Sequence, residues 1–167
     1  ALFGAKEYTT LLQQLDYLQG NGLSNFYTER MYAFAYSENN TDTLALDKAL
    51  AASDRFFSIV PQDKISYQDY KLRGTILQKK GQDSLAIAEF ERASALSETA
   101  AKELSTELIK MYNKNKMYEK TIAAYEKRRI VNGKLTPQEE YDLGKALYSG
   151  RNDYKAADSI FQMVIKA

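Results

Sequence analysis

Apolar and polar side chains alternate along this chain with the period of an α-helix. From Tyr70 to Leu96, large apolar residues return every three or four positions, with charged residues between them. Short clusters rich in glycine and asparagine interrupt the pattern, and they favour helix ends because they supply left-handed residues. The pattern predicts an all-α chain with helices at roughly 6–20, 24–37, 42–60, 64–80, 83–97, 100–114, 117–131, 136–149 and 153–166.

Two stretches of the chain repeat with a spacing of 35 residues. Residues 81–93 and 116–128 share one order of apolar, small and charged positions, and a third copy begins at Asn152 after a spacing of 36. We interpret the extra residue of the third copy as a loop insertion. The preceding helices keep the 35-residue step at Leu77, Tyr112 and Leu147. Such a period predicts stacked helix hairpins, because a single hairpin cannot bury its apolar stripe alone.

These copies resemble the tetratricopeptide repeat (TPR), a helix–turn–helix unit of 34 residues. Leu143 and Gly144 look like the Leu-Gly pair of its first helix, and Ala157 with Phe161 looks like the small and aromatic pair of its second. The resemblance implies a right-handed α-solenoid, a TPR-like superhelix of about nine antiparallel helices. Where the family has small residues, this chain has Ile109, Thr121 and Arg128.

Glycines in the middle of predicted helices indicate close packing. Gly74 and Gly144 cost their helices about 1 kcal/mol each relative to alanine, so we expect a neighbouring helix to approach there. The rings expected to fill the space beyond the small residues are those of Phe90, Tyr125 and Phe161. A separate signal, Thr136-Pro137-Gln138-Glu139, is typical of a capped helix start.

We interpret the whole chain as one TPR-like repeat domain and a fragment of a longer array. Its predicted parts are the second helix of a truncated repeat at 1–22 and full repeats at 23–62, 63–99, 100–135 and 136–167. Ala1-Leu2-Phe3 is similar to the last turn of a first helix, and no polar capping helix follows the last repeat. Exposed apolar residues near an open end, namely Ile160, Phe161 and Val164, would then favour end-to-end self-association of the fragment.

The first helix of each pair is expected to line a groove, which in this family binds peptides or partner helices. Helical periodicity puts on this face Tyr27, Arg30, Phe34, Gln68, Lys71, Thr75, Gln78, Glu103, Thr106, Lys110, Asn113, Gln138, Tyr141, Lys145 and Tyr148. Ammonium groups, amides and aromatic rings suit an extended peptide, and the face would be basic. The alternative is an ordinary solvated helix face, where lysine and glutamine are common.

Some members of the family clamp a terminal carboxylate with Lys and Asn on consecutive first helices. Lys71, Lys110 and Asn113 are similar in type, but the full set does not line up.

Composition narrows the functional classes. The 167 residues contain 23 Lys and Arg against 22 Asp and Glu, so no long-range field attracts nucleic acid. Without Cys or His, thiolate and imidazole metal sites and the usual nucleophile–base pairs are excluded, and we expect no cofactor. No window of about 18 apolar residues predicts membrane insertion. A cysteine-free chain fits the cytoplasm and the periplasm or cell envelope equally.

Other charged clusters have ordinary structural interpretations. The carboxylate pairs Glu139-Glu140 and Asp153 with Asp158 are interpreted as caps and surface charges rather than as acid–base pairs. Lys127-Arg128-Arg129 is interpreted as a solvated face. Asn39-Asn40-Thr41 is a glycosylation acceptor only in a cell that has that machinery.

The sequence therefore favours a non-catalytic protein–protein interaction module, a scaffold or adaptor segment with a protein or peptide partner. The alternative is a regulatory or ligand-recognition helical segment of a larger enzyme, receptor or glycan-capturing envelope protein. A stand-alone helical hydrolase is a third class, and it would need a carboxylate with a tuned pKa in a cleft.

Overall fold

The computed structural model describes residues 5–39 and 44–166, and throughout these ranges the regular structure is helical. The helices are α1 (Ala5–Gly20), α2 (Phe26–Glu38), α3 (Ala45–Ile59), α4 (Tyr67–Lys79), α5 (Asp83–Leu96), α6 (Glu98–Lys114), α7 (Tyr118–Asn132), α8 (Pro137–Ala146) and α9 (Tyr154–Lys166). The all-α prediction is confirmed. Consecutive helices pack as antiparallel pairs, most extensively α2 with α3, α4 with α5, and α8 with α9.

Capping groups fix where the helices start. Thr136 accepts a hydrogen bond from the Glu139 N–H, and the Thr136 N–H donates to the Glu139 carboxylate at 2.9 Å, as the sequence predicts. The predicted start of α4 at residue 64 is wrong. Residues Gln62–Lys64 form a separate 3-10 turn, and the Ser66 N–H donates to Asp69 Oδ2 at 2.8 Å, so α4 begins at Tyr67.

Three helix ends share one hydrogen-bonded turn around a left-handed residue. The left-handed residues are Gly22, Gly81 and Lys116. After Gly81, the Gln82 N–H donates to the Leu77 carbonyl at 2.9 Å. After Lys116, the Met117 N–H donates to the Tyr112 carbonyl at the same distance. The turn satisfies carbonyls that the helix leaves open, and its copies at Gly81 and Lys116 are separated by the 35-residue period.

The extra residue of the third copy lies in a helix, which corrects its interpretation as a loop insertion. Helix α8 continues as a π-helical segment, Leu147–Arg151, and the chain turns at the left-handed Asn152. The Asp153 N–H donates to the Leu147 carbonyl at 3.1 Å, one residue further along than in the other copies. A π turn absorbs a single inserted residue in this way.

The chain divides into two compact units, Ala1–Ala101 and Lys102–Ala167, and the division falls within α6. The first unit has a buried cluster that includes Leu15 of α1, Ala33 of α2 and Ile76 of α4. The second has a buried cluster that includes Ile122 of α7 and Leu143 of α8.

Glycines mark close helix contacts in both units, as the sequence predicts. A Cβ atom at Gly74 would lie 2.6 Å from Phe90 Cε1, and one at Gly144 would lie 2.6 Å from Phe161 Cε1. Gly150 serves the same purpose, since a Cβ there would lie 2.3 Å from the Tyr118 Cβ. No side chain fits at these positions unless the neighbouring helix moves.

Two predictions about surface residues are wrong. The Arg128 side chain is only 15% exposed, and its guanidinium donates to Glu139 Oε1 at 2.5 Å and to Ser105 Oγ at 2.6 Å. It is therefore an internal link of α7 to α6 and α8 rather than part of a solvated face. Ile160 is buried in the core of the second unit, although the sequence suggested an exposed open end. Phe161 and Val164 pack against the same core.

The helical turn predicted at Ala1-Leu2-Phe3 lies outside the described residues. So do Asn40 and Thr41 of the glycosylation motif.

We expect Gly144→Leu to destabilise the protein by about 1–3 kcal/mol, because the new side chain overlaps the ring of Phe161. Urea unfolding followed by circular dichroism measures the change. Gly20→Ala is the matched control, since a Cβ at Gly20 meets no atom within 4 Å. An unchanged midpoint for Gly144→Leu would contradict the close approach.

We expect Lys116→Gly to stabilise the protein by roughly 0.5–1 kcal/mol, because Lys116 holds a φ of 55° that a Cβ disfavours. Thermal unfolding measures the gain. Lys116→Gln is the control that removes the charge and keeps the Cβ. If Lys116→Gln alone gave the whole gain, charge repulsion rather than backbone strain would be its source.

Candidate binding clefts

The first unit contains an apolar cleft between α1, α2 and α4. Its volume is about 580 Å³, and its lining residues are Glu7, Tyr8, Leu11, Arg30, Met31, Phe34, Gln68, Asp69 and Leu72. The rings of Tyr8 and Phe34 meet edge to face with centroids 6.0 Å apart. Met31 and Phe34 are 44% and 43% exposed, so they offer apolar surface to a ligand.

The charged groups at the edge of the apolar cleft hold α2 and α4 together. Arg30 Nη2 donates to Asp69 Oδ2 at 3.0 Å, and Arg30 Nε lies 2.7 Å from Asp69 Oδ1. Asp69 is buried and also accepts the capping bonds of Ser66. The Arg30 guanidinium lies 4.8 Å from the ring centroid of Phe56. Arg30 was predicted to face a peptide, and here it forms part of the wall as an ion-pair partner.

The second unit contains a cleft rich in lysine between α6 and α8. We call it the lysine cleft; its volume is about 440 Å³, and it is lined by Lys110, Asn113, Lys114, Lys116, Tyr118, Asp142, Lys145, Ala146 and Ser149. Lys110 and Lys145 are 35 residues apart, so they occupy the same position in successive repeats. The lining has four ammonium groups and one carboxylate.

The carboxylate of the lysine cleft belongs to a chain of hydrogen bonds. The Tyr125 hydroxyl donates to Asp142 Oδ2 at 3.4 Å and accepts from Asn113 Nδ2 at 3.4 Å. Gln138 Nε2 donates to Asp142 Oδ1 at 3.2 Å. Burial, reinforced by the charge of Asp142, raises the pKa of Tyr125 to about 12, so the phenol keeps its proton and remains a donor.

Three of the four lysines in this cleft have ammonium groups that can pair with a ligand. Lys110, Lys116 and Lys145 form no hydrogen bond or ion pair with their side chains in the part of the chain that the structure describes. Lys145 Nζ lies 5.6 Å from the ring centroid of Tyr141, a weak interaction at an exposed site.

The structure brings together some of the predicted inner-face residues and separates others. Arg30, Phe34 and Gln68 line the apolar cleft, and Lys110, Asn113 and Lys145 line the lysine cleft. Those that lie outside both linings are Tyr27, Lys71, Thr75, Gln78, Glu103, Thr106, Gln138, Tyr141 and Tyr148.

Several of the residues outside the clefts have partners of their own. The ring of Tyr141 packs on Phe161 at 5.6 Å, and that of Tyr148 meets Tyr154 at 4.9 Å. The Thr75 hydroxyl donates to the Lys71 carbonyl at 2.9 Å. The two tyrosines therefore face α9 rather than the lysine cleft.

Sequence reasoning missed Tyr8, Leu11, Met31 and Leu72 in the apolar cleft. The periodic pattern marks each of them as apolar but does not say which helix faces it. In the lysine cleft, sequence reasoning missed Lys116, because this residue lies in the turn after α6 and not on a helix face.

Three of the four acidic candidates for catalysis, Glu139, Glu140 and Asp153, serve the fold. Burial raises the pKa of Glu139, but hydrogen bonds from Thr136 and Arg128 outweigh it and hold the pKa below the usual value. Glu140 pairs with Arg129, and Asp153 Oδ1 accepts from the Ala156 N–H at 3.0 Å. Within residues 5–39 and 44–166, no acidic cluster is arranged to hold a metal ion.

None of the helices in the described ranges combines the length and apolar character needed to cross a bilayer.

Known structures resemble this chain over nearly its whole length. The C-terminal part of a TPR repeat-containing protein from Cytophaga hutchinsonii matches 96% of the chain at 27% identity, with a TM-score of 0.66. This match spans 59% of that protein's chain. Two crystal structures of MamA match 97% and 95% of the chain at 19% and 20% identity, with TM-scores of 0.60 and 0.54. They are covered over 85% and 90% of their lengths.

No protein-family model and no curated protein matches the sequence. The structural matches cover the whole series of helix hairpins. The chain is therefore TPR-like, with the all-α solenoid fold of the tetratricopeptide repeats.

Proposed function

We propose that this chain is a non-catalytic protein-binding module that holds a peptide or a partner helix along its first helices. The observation that carries the proposal is that each unit has a cleft between consecutive first helices. The apolar cleft lies between α2 and α4, with α1 beside it, and the lysine cleft lies between α6 and α8. These are the faces that the resemblance to tetratricopeptide repeats assigns to binding.

The two clefts differ in chemistry, and both suit segments of protein. A volume of about 580 Å³ with an apolar lining accepts large aliphatic or aromatic side chains, as binding pockets of roughly 300–1,000 Å³ do. The ammonium groups of the other cleft donate to carboxylates and carbonyls. Affinity would arise from several modest contacts on a preformed surface rather than from a single anchor.

A catalytic role has less support. Of the carboxylates named as acid–base candidates, Glu139, Glu140 and Asp153 are engaged as caps or ion pairs. The pKa of Glu139 is lowered, which is the wrong direction for a proton donor at neutral pH. The likeness to a TPR repeat-containing protein also favours an interaction module, which would act as a scaffold or adaptor.

Selection from a random peptide library displayed on phage tests the proposal. We expect peptides that bind with micromolar Kd and lose at least about tenfold in affinity with Met31→Asp or with Lys110→Glu/Lys145→Glu. Met31 is half exposed, and both lysines are exposed, so the variants should fold; circular dichroism checks this.

Matched controls carry the same chemical change elsewhere. Ile130→Asp alters an apolar residue that is 84% exposed, and Lys127→Glu/Lys155→Glu alters two exposed lysines; all three lie outside both clefts. Failure to select any peptide would refute the binding function. Selected peptides that bind the cleft variants and the controls equally well would refute the clefts as its site.

A further inference from the structure

We propose that the lysine cleft binds an internal acidic segment of a partner protein, through side-chain carboxylates rather than a chain terminus. This inference rests on the proposed function and specifies the partner for the second unit. It is carried by the charge of the cleft and by the hydrogen bonds that its polar groups already make.

The charge of the cleft is concentrated and comes from three separate segments. Lys110 and Lys114 lie on α6, Lys116 in the following turn and Lys145 on α8, and Asp142 is the single acidic residue of the lining. Four positive charges against one leave a local charge of +3, although the whole chain has only +1. A cleft of one sign attracts ligands of the opposite charge and raises their rate of association.

Asp142 does not neutralise this charge by contact. Its two carboxylate oxygens accept from Tyr125 and Gln138, and none of the cleft lysines forms an ion pair with it. Lys110, Lys116 and Lys145 likewise form no ion pair with any residue in the described ranges. Elsewhere in this chain, basic side chains pair with acids across helices, as Lys79 does with Glu38 and Arg151 with Glu119. Lys110, Lys116 and Lys145 are therefore cations that a ligand can neutralise, and they differ from Lys127, Lys134 and Lys155, which also lack ion pairs, because they share one cleft.

The donors of the cleft favour side-chain carboxylates over a terminal one. Capture of a chain terminus needs several donors fixed around one carboxylate, and the lining has a single side-chain amide, Asn113, which uses one of its two N–H groups on Tyr125. Lysines are flexible point charges that accept carboxylates at varied positions. An open cleft of about 440 Å³ lined by such groups suits several carboxylates along a peptide.

The size of the basic surface argues against nucleic acid. Binding to a phosphate backbone gains strength from many neutralised phosphates along a stripe of basic residues. Here four lysines line a single cleft of about 440 Å³, and the chain as a whole is close to neutral. A protein segment rich in Asp and Glu matches both facts.

The test measures the Kd of a fluorescent peptide of repeated Glu-Glu-Ser triplets, acetylated and amidated at its ends, by anisotropy with the whole chain. We expect binding that weakens as salt rises from about 50 to about 200 mM. Lys110→Gln/Lys116→Gln/Lys145→Gln should weaken it about tenfold, the sum of three modest ion pairs. Lys127→Gln/Lys134→Gln/Lys155→Gln makes the same change of charge outside the cleft and should alter Kd less than about twofold.

Further probes separate the possible outcomes. The same peptide with Gln in place of Glu should not bind, and a free carboxyl terminus should not improve binding. A requirement for the free terminus, equal losses in the two triple variants, or tighter binding of a single-stranded DNA oligonucleotide would each overturn the inference. If library peptides bind the chain but the acidic peptide does not, the inference is wrong and the proposed function stands; if no peptide binds, both fail.

Discussion

A contact between a glycine on one helix and a phenylalanine on the next sets how closely the helices approach in two of the pairs, α4 with α5 and α8 with α9. Gly74 contacts the ring of Phe90, and Gly144 contacts that of Phe161, so α4 approaches α5 closely and α8 approaches α9 closely at these points. In α4 and α8 the glycine lies against the next helix, and other residues of the same helix, such as Leu72 and Lys145, line a cleft. Residues that line a cleft can therefore be suited to a ligand without changing the glycine contacts. Packing within a pair and binding between pairs thus use different sides of one helix.

Charged residues in this chain fall into two groups that differ in their partners. Arg30 with Asp69, and Arg128 with Glu139, are partly or wholly buried and join helices of different pairs. Truncation of either partner would leave a buried charge unpaired, which is far more costly than loss of a surface ion pair. Lys110, Lys116 and Lys145 of the lysine cleft are exposed and lack such partners in the described residues, so they can be exchanged with little effect on folding. Separate groups therefore maintain the fold and provide the charge for binding.

The sequence predicts the helices well because their signals are local. The hydrophobic period, the capping residues and the left-handed glycines each act within a few positions of the chain. Gly74 and Gly144 indicate a neighbouring helix, because a glycine inside a helix lowers the stability of that helix and is expected where there is no space for a side chain. The π turn at Leu147–Arg151 was missed, since an inserted residue has nearly the same sequence signature in a loop as in a helix. Arg128 was also missed, because its partners Ser105 and Glu139 lie far away in sequence.

The clefts are predictable only in part, for a related reason. Periodicity assigns Phe34, Lys110 and Lys145 to one side of their helices, and all three line a cleft. Periodicity within one helix cannot show that Tyr8 of α1 meets Phe34, nor that Tyr141 turns to Phe161 on α9. Which neighbour a residue meets depends on the angle between helices, and that angle follows from packing at every contact between them. In this chain the local sequence thus determines which face of a helix carries a binding residue. The packing of whole helices determines which other residues lie in the same site.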